Sequence, residues 1–209
     1  MDQIAQSWRQ VTDWLSENAP AIYSVQNGAA AATTIKRACK GLNLRPPEDY
    51  QGWILNTADG QKMNNVRYGG VVPSKDANSV IGICHIVGAG TTTKILRDFY
   101  AKKRLSPKYA GPMHNCIWHD SWFAFAWDNT NEDGICLAFE MNPPSDGTPG
   151  QIIFISDKPA VRTVLCSSFT EFIQQLGAAY ANNEYVYNES KNTIARKNVE
   201  SFPLFAPVS

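Results

Sequence analysis

The densest group of side chains that could do chemistry lies in residues 114–119, which hold two histidines and one cysteine. Structural zinc sites usually combine two closely spaced pairs of ligands, and the distant candidates Cys84 and His85 do not supply a second pair with that spacing. On a strand, Cys116 and His119 would also face opposite sides of the backbone. We therefore predict no metal site and no cofactor.

The same residue types could pair a cysteine nucleophile with a histidine base, and the candidates are Cys116, Cys136, His85, His114 and His119. The sequence around these cysteines resembles no protease signature, and a free cysteine in an apolar strand is typically an inert core residue. The chain also lacks a GxSxG, HExxH or paired-carboxylate pattern. We predict that the protein is not an enzyme, and the alternative is a small hydrolase that uses His114, Cys116 and His119.

Residues 87–94 combine glycines with a lysine, as phosphate-binding loops do. The segment lacks the Gly-Lys-Ser/Thr ending of a P-loop, and Thr93 stands where a GxGxxG pattern needs its third glycine. Apolar residues precede it over 80–87, and helical spacing follows it over 94–100. We predict a flexible turn between a buried strand and a helix.

Charge is distributed unevenly along the chain. Residues 109–157 contain no Lys or Arg but seven acidic residues, so this segment carries −7 and the remaining chain +7. The total of zero argues against general affinity for nucleic acid or anionic membranes, and we predict neither as a direct partner. Two polar loops, 128–134 and 142–150, hold four of the seven acids. Such a surface is either a solvated edge or a site that attracts a basic protein.

Hydrophobic spacing predicts the elements that position these residues. The recurrence of apolar residues over 3–18 predicts an amphipathic helix, and the capping box Ser168–Glu171 predicts the start of the last helix. Two further helices are expected over 29–40 and after Pro47. Apolar runs at 122–127, 135–139 and 151–155 predict strands, with a short one at 163–165. Their connecting loops are too short for helical crossovers, so the strands should pair antiparallel.

Length and composition favour one globular domain. The 209 residues, 44% of them hydrophobic, can bury a core without disulfide bonds, and we expect the domain to span 1–187 with a tail over 188–209. The five cysteines are widely spaced and lack a CxxC pair, which is typical of reduced thiols in the cytoplasm. Neither a secretory signal nor an apolar run long enough for a membrane helix is evident.

Three stretches of the chain resemble the SUKH superfamily, which includes a yeast cell-wall-synthesis regulator and many bacterial toxin-immunity proteins. Residues 44–61 (LRPPEDY through NTADGQ) resemble the family pattern "LPedl…y…NGq". Residues 122–140 resemble its "W.piA.d..Gd.l.lDl" hairpin, and GTPGQII followed by SSFTEF resembles "G..GqVi…a.sF.efl". The matched order covers about 42–180, with a long unmatched insertion over 62–112. Asp59 and Glu140 replace the usual Asn and Asp.

The resemblance implies an α+β fold with a bent antiparallel sheet flanked by helices. It also implies a non-catalytic role, in which the protein binds one cognate toxin and blocks its active site. Many such toxins are nucleases, whose clefts carry basic groups, and an acidic face could occupy such a cleft. The alternative within this fold is a regulatory scaffold with several partners. The expected contacts are Asp128, Glu132, Asp133, Glu140 and Asp146, with Trp127 as an aromatic anchor.

Overall fold

The computed structural model describes residues 2–61, 72, 81–128 and 134–197, and these residues form the α+β fold expected from the sequence. Their helices are α1 (Asp2–Asn18), α2 (Pro20–Tyr23), α3 (Ala32–Ala38), α4 (Glu48–Asn56), α5 (Ile86–Tyr100) and α6 (Phe169–Ala181). Their strands are β1 (Ile81–Ile83), β2 (Lys108–Ala110), β3 (Trp122–Asp128), β4 (Cys136–Glu140), β5 (Gln151–Asp157), β6 (Ala160–Cys166), β7 (Tyr185–Asn188) and β8 (Thr193–Arg196). Within this part of the chain, no helix has both the length and the apolar character needed to cross a bilayer.

The main sheet has six strands in the order β1-β3-β4-β5-β6-β2. Neighbouring strands are antiparallel from β1 to β6, as predicted, but β2 runs parallel to β6 at the edge. The antiparallel pairing predicted for the strands over 122–165 is therefore confirmed, and the sheet becomes mixed at β2, where the sequence predicted no strand. The three residues of β2 are too few and too polar to show strand alternation. The connection from β2 carries the chain past three strands, β6, β5 and β4, to β3.

Helices α1, α4 and α6 pack on one face of this sheet, and the later part of α5 packs on the other. Phe123, Phe125 and Phe139 belong to a core shared with α1, α4 and α6. Trp122 and Ala124 belong to a second core with Leu96 and Tyr100 of α5. Because successive side chains of a strand point to opposite faces, the continuous apolar runs of the sequence supply both cores.

Helix α5 begins at Ile86, eight residues before the helix expected from the sequence. Of the strand predicted over 80–87, the described residues form the short strand β1. The flexible turn predicted over 87–94 is wrong, because residues 87–94 form the first turns of α5. His85 caps the helix by accepting a hydrogen bond from the Gly88 N–H at 3.1 Å. Asp59 also accepts from the Ile86 N–H at 2.7 Å, so the turn after α4 helps to fix where α5 starts.

A close backbone contact explains the glycine in the middle of α5. A Cβ atom at Gly90 would lie 2.3 Å from the carbonyl oxygen of Ala38, so the absence of a side chain allows α3 to pack directly on α5. A second link forms at the end of α3, where Lys94 Nζ donates to the carbonyl oxygen of Lys40 at 2.6 Å. The glycine-rich segment therefore serves helix packing in this fold.

The end of the described chain belongs to the folded domain. Strands β7 and β8 pair as an antiparallel hairpin, and Ile194 is 2% exposed within the main core. Residues 188–197 therefore do not form the predicted tail, because β8 pairs with β7 and Ile194 packs in the main core together with Tyr185. Residues 198–209 lie outside the described residues.

Candidate functional site

Two of the expected contact residues are buried. Asp128 is 1% exposed and Glu140 is 0% exposed, so neither side chain can reach a partner, and the structure corrects both predictions. Each lies at the end of a strand whose sequence does not reveal that the carboxyl group points inward. Trp127 is half-buried and packs against both cores, whereas Asp146 is exposed. Glu132 and Asp133 lie outside the described residues.

Asp128 and Asp146, the described acids of the two loops, lie toward opposite ends of β4. Asp128 ends β3, and Asp146 follows the end of β4. Since these strands are antiparallel, the five residues of β4 separate the two acids by about 17 Å. Asp128 and Asp146 therefore do not belong to one concentrated surface. Asp157, a further acid of this segment, forms ion pairs with Lys103 at 2.6 Å and Arg162 at 3.2 Å.

Glu140 instead organises one end of the sheet. Its Oε1 atom accepts a hydrogen bond from Trp122 Nε1 at 3.1 Å and lies 2.5 Å from His114 Nδ1. Its Oε2 atom accepts from Gln151 Nε2 at 3.1 Å, and the same amide donates to the Pro112 carbonyl at 2.7 Å. Four strand and loop segments thus meet at one buried carboxyl group, as buried polar groups require.

Three loops form a surface at this end, which we call the loop face and define as residues 41–47, 111–121 and 141–150. Gly147 and Gly150 keep the loops close: a Cβ atom at Gly147 would lie 2.7 Å from the Pro112 carbonyl oxygen, and one at Gly150 would lie 3.2 Å from Pro47. The exposed acids Asp120 and Asp146 both belong to this face. Both therefore project from loops whose backbone is tightly packed.

A cleft of about 540 Å³ opens beside the loop face. It is bounded by the α3–α4 loop, by α5 and by the residues around the start of β3, and its polar lining includes Asn43, Arg97, His119, Asp120 and Asn142. Charges of both signs are therefore present. This mixture suits contact with a polar protein surface better than retention of a small ion of one sign.

Two histidines of the loop face stack against each other. The rings of His114 and His119 are 3.8 Å apart between centroids and nearly parallel. His119 Nδ1 accepts a hydrogen bond from the Ser121 N–H at 3.2 Å, so this nitrogen is an acceptor without a proton. Burial and the neighbouring His114 lower the pKa of His119, although Glu140 and Asp120 oppose the shift. His119 is therefore neutral at neutral pH.

We expect His119 to make the fold less stable as the pH falls. The lowered pKa means that the unfolded chain takes up a proton before the folded protein does, so the free energy of unfolding decreases as the pH drops through the ordinary histidine range. Asparagine at this position keeps an acceptor for the Ser121 N–H but does not titrate. The variant His119→Asn should therefore lose less stability than the original protein between about pH 7.5 and about pH 5.5 in urea unfolding. Equal losses in both proteins would contradict this role of His119.

The cysteine environment argues against the hydrolase alternative. Burial raises the pKa of the Cys116 thiol to about 11 and that of Cys84 to about 12, and it also raises the pKa values of Cys39, Cys136 and Cys166. These thiols stay protonated at neutral pH, whereas a nucleophilic cysteine needs its thiolate. Among the described residues, no three His, Cys, Asp or Glu side chains are grouped so that they could hold a metal ion.

The hydrogen-bond partners of Glu140 could not be identified from the sequence. Gln151 and Trp122 each read as the first residue of an apolar strand, and nothing in the sequence shows that they face the same carboxyl group. One signal was available: Glu140 is an acid at the end of an otherwise apolar strand, where a buried hydrogen-bonded role is the main alternative to exposure. The separation of Asp128 from Asp146 also follows from the predicted antiparallel order alone.

Comparison with known proteins identifies one family. A family model described as SMI1 / KNR4 family (SUKH-1) matches residues 29–175, which is more than half of the chain. The match runs from the segment before α3 into α6, and it includes the sheet and the loop face. A search among curated proteins finds no match.

Proposed function

The chain belongs to the SMI1/KNR4 (SUKH-1) family, and from this premise we propose that it is an immunity protein that binds one cognate bacterial toxin and blocks its active site. The family match is the observation that carries the proposal. The proposed toxin acts in the cytoplasm, for example as a nuclease, and the immunity protein acts there by one-to-one occlusion without catalysis. The protonated thiols support a binding role, since they leave the Cys/His hydrolase without a nucleophile.

Rigid presentation of side chains also supports a binding role. The loop face is tied together through Glu140 and Gln151, so exposed groups such as Asp146 are held on a fixed backbone. Preorganised surfaces lose less conformational freedom on association and therefore bind more tightly for a given contact area. We propose Asp146 as a toxin contact at this end of the sheet. Glu132 and Asp133, which lie outside the described residues, remain proposed contacts, as does the half-buried Trp127.

The test of the function examines the adjacent reading frame for a toxin domain and co-expresses that domain with this protein. Co-expression should restore growth of bacteria that produce the toxin, and the two purified proteins should form a one-to-one complex in size-exclusion chromatography. A chain that neither protects cells nor forms a complex would contradict the proposal. Weak, salt-sensitive binding to several proteins would instead favour the regulatory scaffold of the same fold.

Charge-reversal variants test the proposed contacts separately from the function. If the toxin has a basic cleft, Asp146→Lys should slow association by about tenfold at low salt and much less at high salt, because salt screens charge steering. Glu132→Lys with Asp133→Lys tests the other two proposed acidic contacts in the same way. Glu17→Lys, on the exposed side of α1, is the matched control and should leave the rate unchanged. Unchanged rates in all variants would exclude the acidic contacts while leaving complex formation intact.

A further inference from the structure

A second surface, which shares residues 42–45 with the loop face, is strongly basic. A groove of about 800 Å³ runs along α3 and the α3–α4 loop. Its charged lining residues all carry the same sign, and each of them is exposed: Lys36, Arg37, Lys40 and Arg45. No acidic side chain is among the residues that line it. We call this surface the basic groove.

The sequence of α3 explains how one wall of the basic groove forms. Ile35 and Ala38 are buried, and the close approach of Gly90 to Ala38 fixes this side of the helix against α5. Lys36 and Arg37 lie in the last turn of α3, and Lys40 follows two residues after the helix ends. The wall is therefore a short group of cations on and just after a helix that is anchored from behind.

Apolar side chains line the bottom of the basic groove. Cys39, Leu42 and Leu44 line it, and all three are half-buried and pack against the main core. Arg45 lies near the Cys39 thiol: burial raises the pKa of this thiol, and the Arg45 guanidinium opposes the shift. The groove thus combines a basic rim with an apolar floor.

The position of Arg45 shows that the helix dipole does not explain all of the positive charge in the basic groove. Cations near the C-terminus of a helix are favoured by the helix dipole, which explains Lys36 and Arg37 in the last turn of α3. Arg45 lies on the loop beyond the helix, among the residues that line the groove. Cations on both the helix and the loop, with no acid among the lining residues, create a field that attracts negative charge.

The lining favours an acidic peptide over a nucleic acid. Proteins that bind single strands usually stack bases on aromatic rings, and no aromatic residue lines the basic groove. The net charge of zero also provides little general attraction for a polyanion. Alternating acidic and apolar side chains, by contrast, match a basic rim and an apolar floor.

We propose that the basic groove binds an extended acidic segment of a protein partner, with carboxylates on the lysines and arginines of the rim and apolar side chains on Leu42 and Leu44. The basic groove contains none of the proposed acidic contacts. Binding of the acidic segment does not depend on which toxin the chain neutralises. The segment would pair with exposed cations, so binding depends strongly on salt.

The test uses the full chain and a fluorescein-labelled peptide of alternating glutamate and leucine, measured by fluorescence polarisation at about 0.05 M and about 0.5 M salt. The protein should bind this peptide at low salt and should not bind a lysine–leucine peptide of the same length. Lys36→Glu with Lys40→Glu should weaken binding at least about tenfold. Arg45→Glu, on the loop side, should weaken it at least about threefold.

Lys102→Glu with Lys108→Glu is the matched control, because it makes the same change in net charge at exposed lysines that do not line the groove. This pair should change the affinity by less than about twofold. Urea unfolding of every variant checks that the fold is retained. The proposal is overturned if the peptide does not bind, if both lysine pairs weaken binding equally, or if single-stranded DNA of equal length binds more tightly than the peptide. Toxin neutralisation is measured separately, so neither outcome of the peptide assay decides whether the proposed function is correct.

Discussion

Replacing Glu140 with alanine should lower the free energy of unfolding by about 3–5 kcal/mol. The side chain is 0% exposed, and its removal leaves donors from His114, Trp122 and Gln151 in a buried space without their acceptor. It also opens a cavity where the carboxyl group was. Urea unfolding at neutral pH, followed by tryptophan fluorescence, measures the loss.

Two variants serve as controls for the Glu140→Ala prediction. Glu140→Gln keeps the size and one acceptor oxygen but turns an NH₂ group toward one of the donors, so its loss should fall between that of alanine and zero. Glu17→Ala removes an acid from the exposed side of α1 and should change stability by less than about 0.5 kcal/mol. A loss below about 1 kcal/mol for Glu140→Ala would show that the network contributes little to folding.

Alanine at Gly90 should destabilise the protein by about 1–3 kcal/mol, although alanine is the better helix former. The new Cβ would lie 2.3 Å from the Ala38 carbonyl oxygen, which is backbone and cannot rotate away, so α3 must move off α5. Because α3 carries one wall of the basic groove, affinity for the acidic peptide should fall as well. Urea unfolding and fluorescence polarisation measure the two effects.

Gly28→Ala is the matched control for Gly90→Ala, since no atom lies within 4 Å of a Cβ built at Gly28. This change should leave stability within about 1 kcal/mol of the original, or raise it slightly by restricting the unfolded chain. If Gly90→Ala proved as stable as Gly28→Ala, α3 would not depend on the close contact with α5.

Local patterns predicted the elements that they specify directly. The spacing of Ile4, Trp8, Val11 and Leu15 matches α1, and Ser168 caps α6 by accepting from the Glu171 N–H at 3.1 Å. The β3–β4 hairpin has the predicted strands. These features depend on residues close together in sequence, where spacing and capping chemistry decide the outcome.

Features that depend on contacts between residues far apart in sequence could not be predicted from local patterns. The glycines before Lys94 indicate a turn locally, but the contact with Ala38 makes glycine the fitting residue inside a helix. Glu140 reads as an exposed acid until Trp122 and Gln151 are seen to converge on it. The cations of α3 are visible in the sequence, but the groove exists only because the α3–α4 loop folds back beside them.

The outer strands of the main sheet, β1 and β2, are three residues each, and this shortness limits how the molecule can associate. Unpaired backbone at the rim of a sheet can recruit a strand from another chain, and rims of this length offer too few hydrogen bonds to hold one. Fibril-like growth from these two edges is thereby discouraged at high concentration. Along these edges, a neighbour is accordingly recognised by shape and charge rather than by extending the ladder.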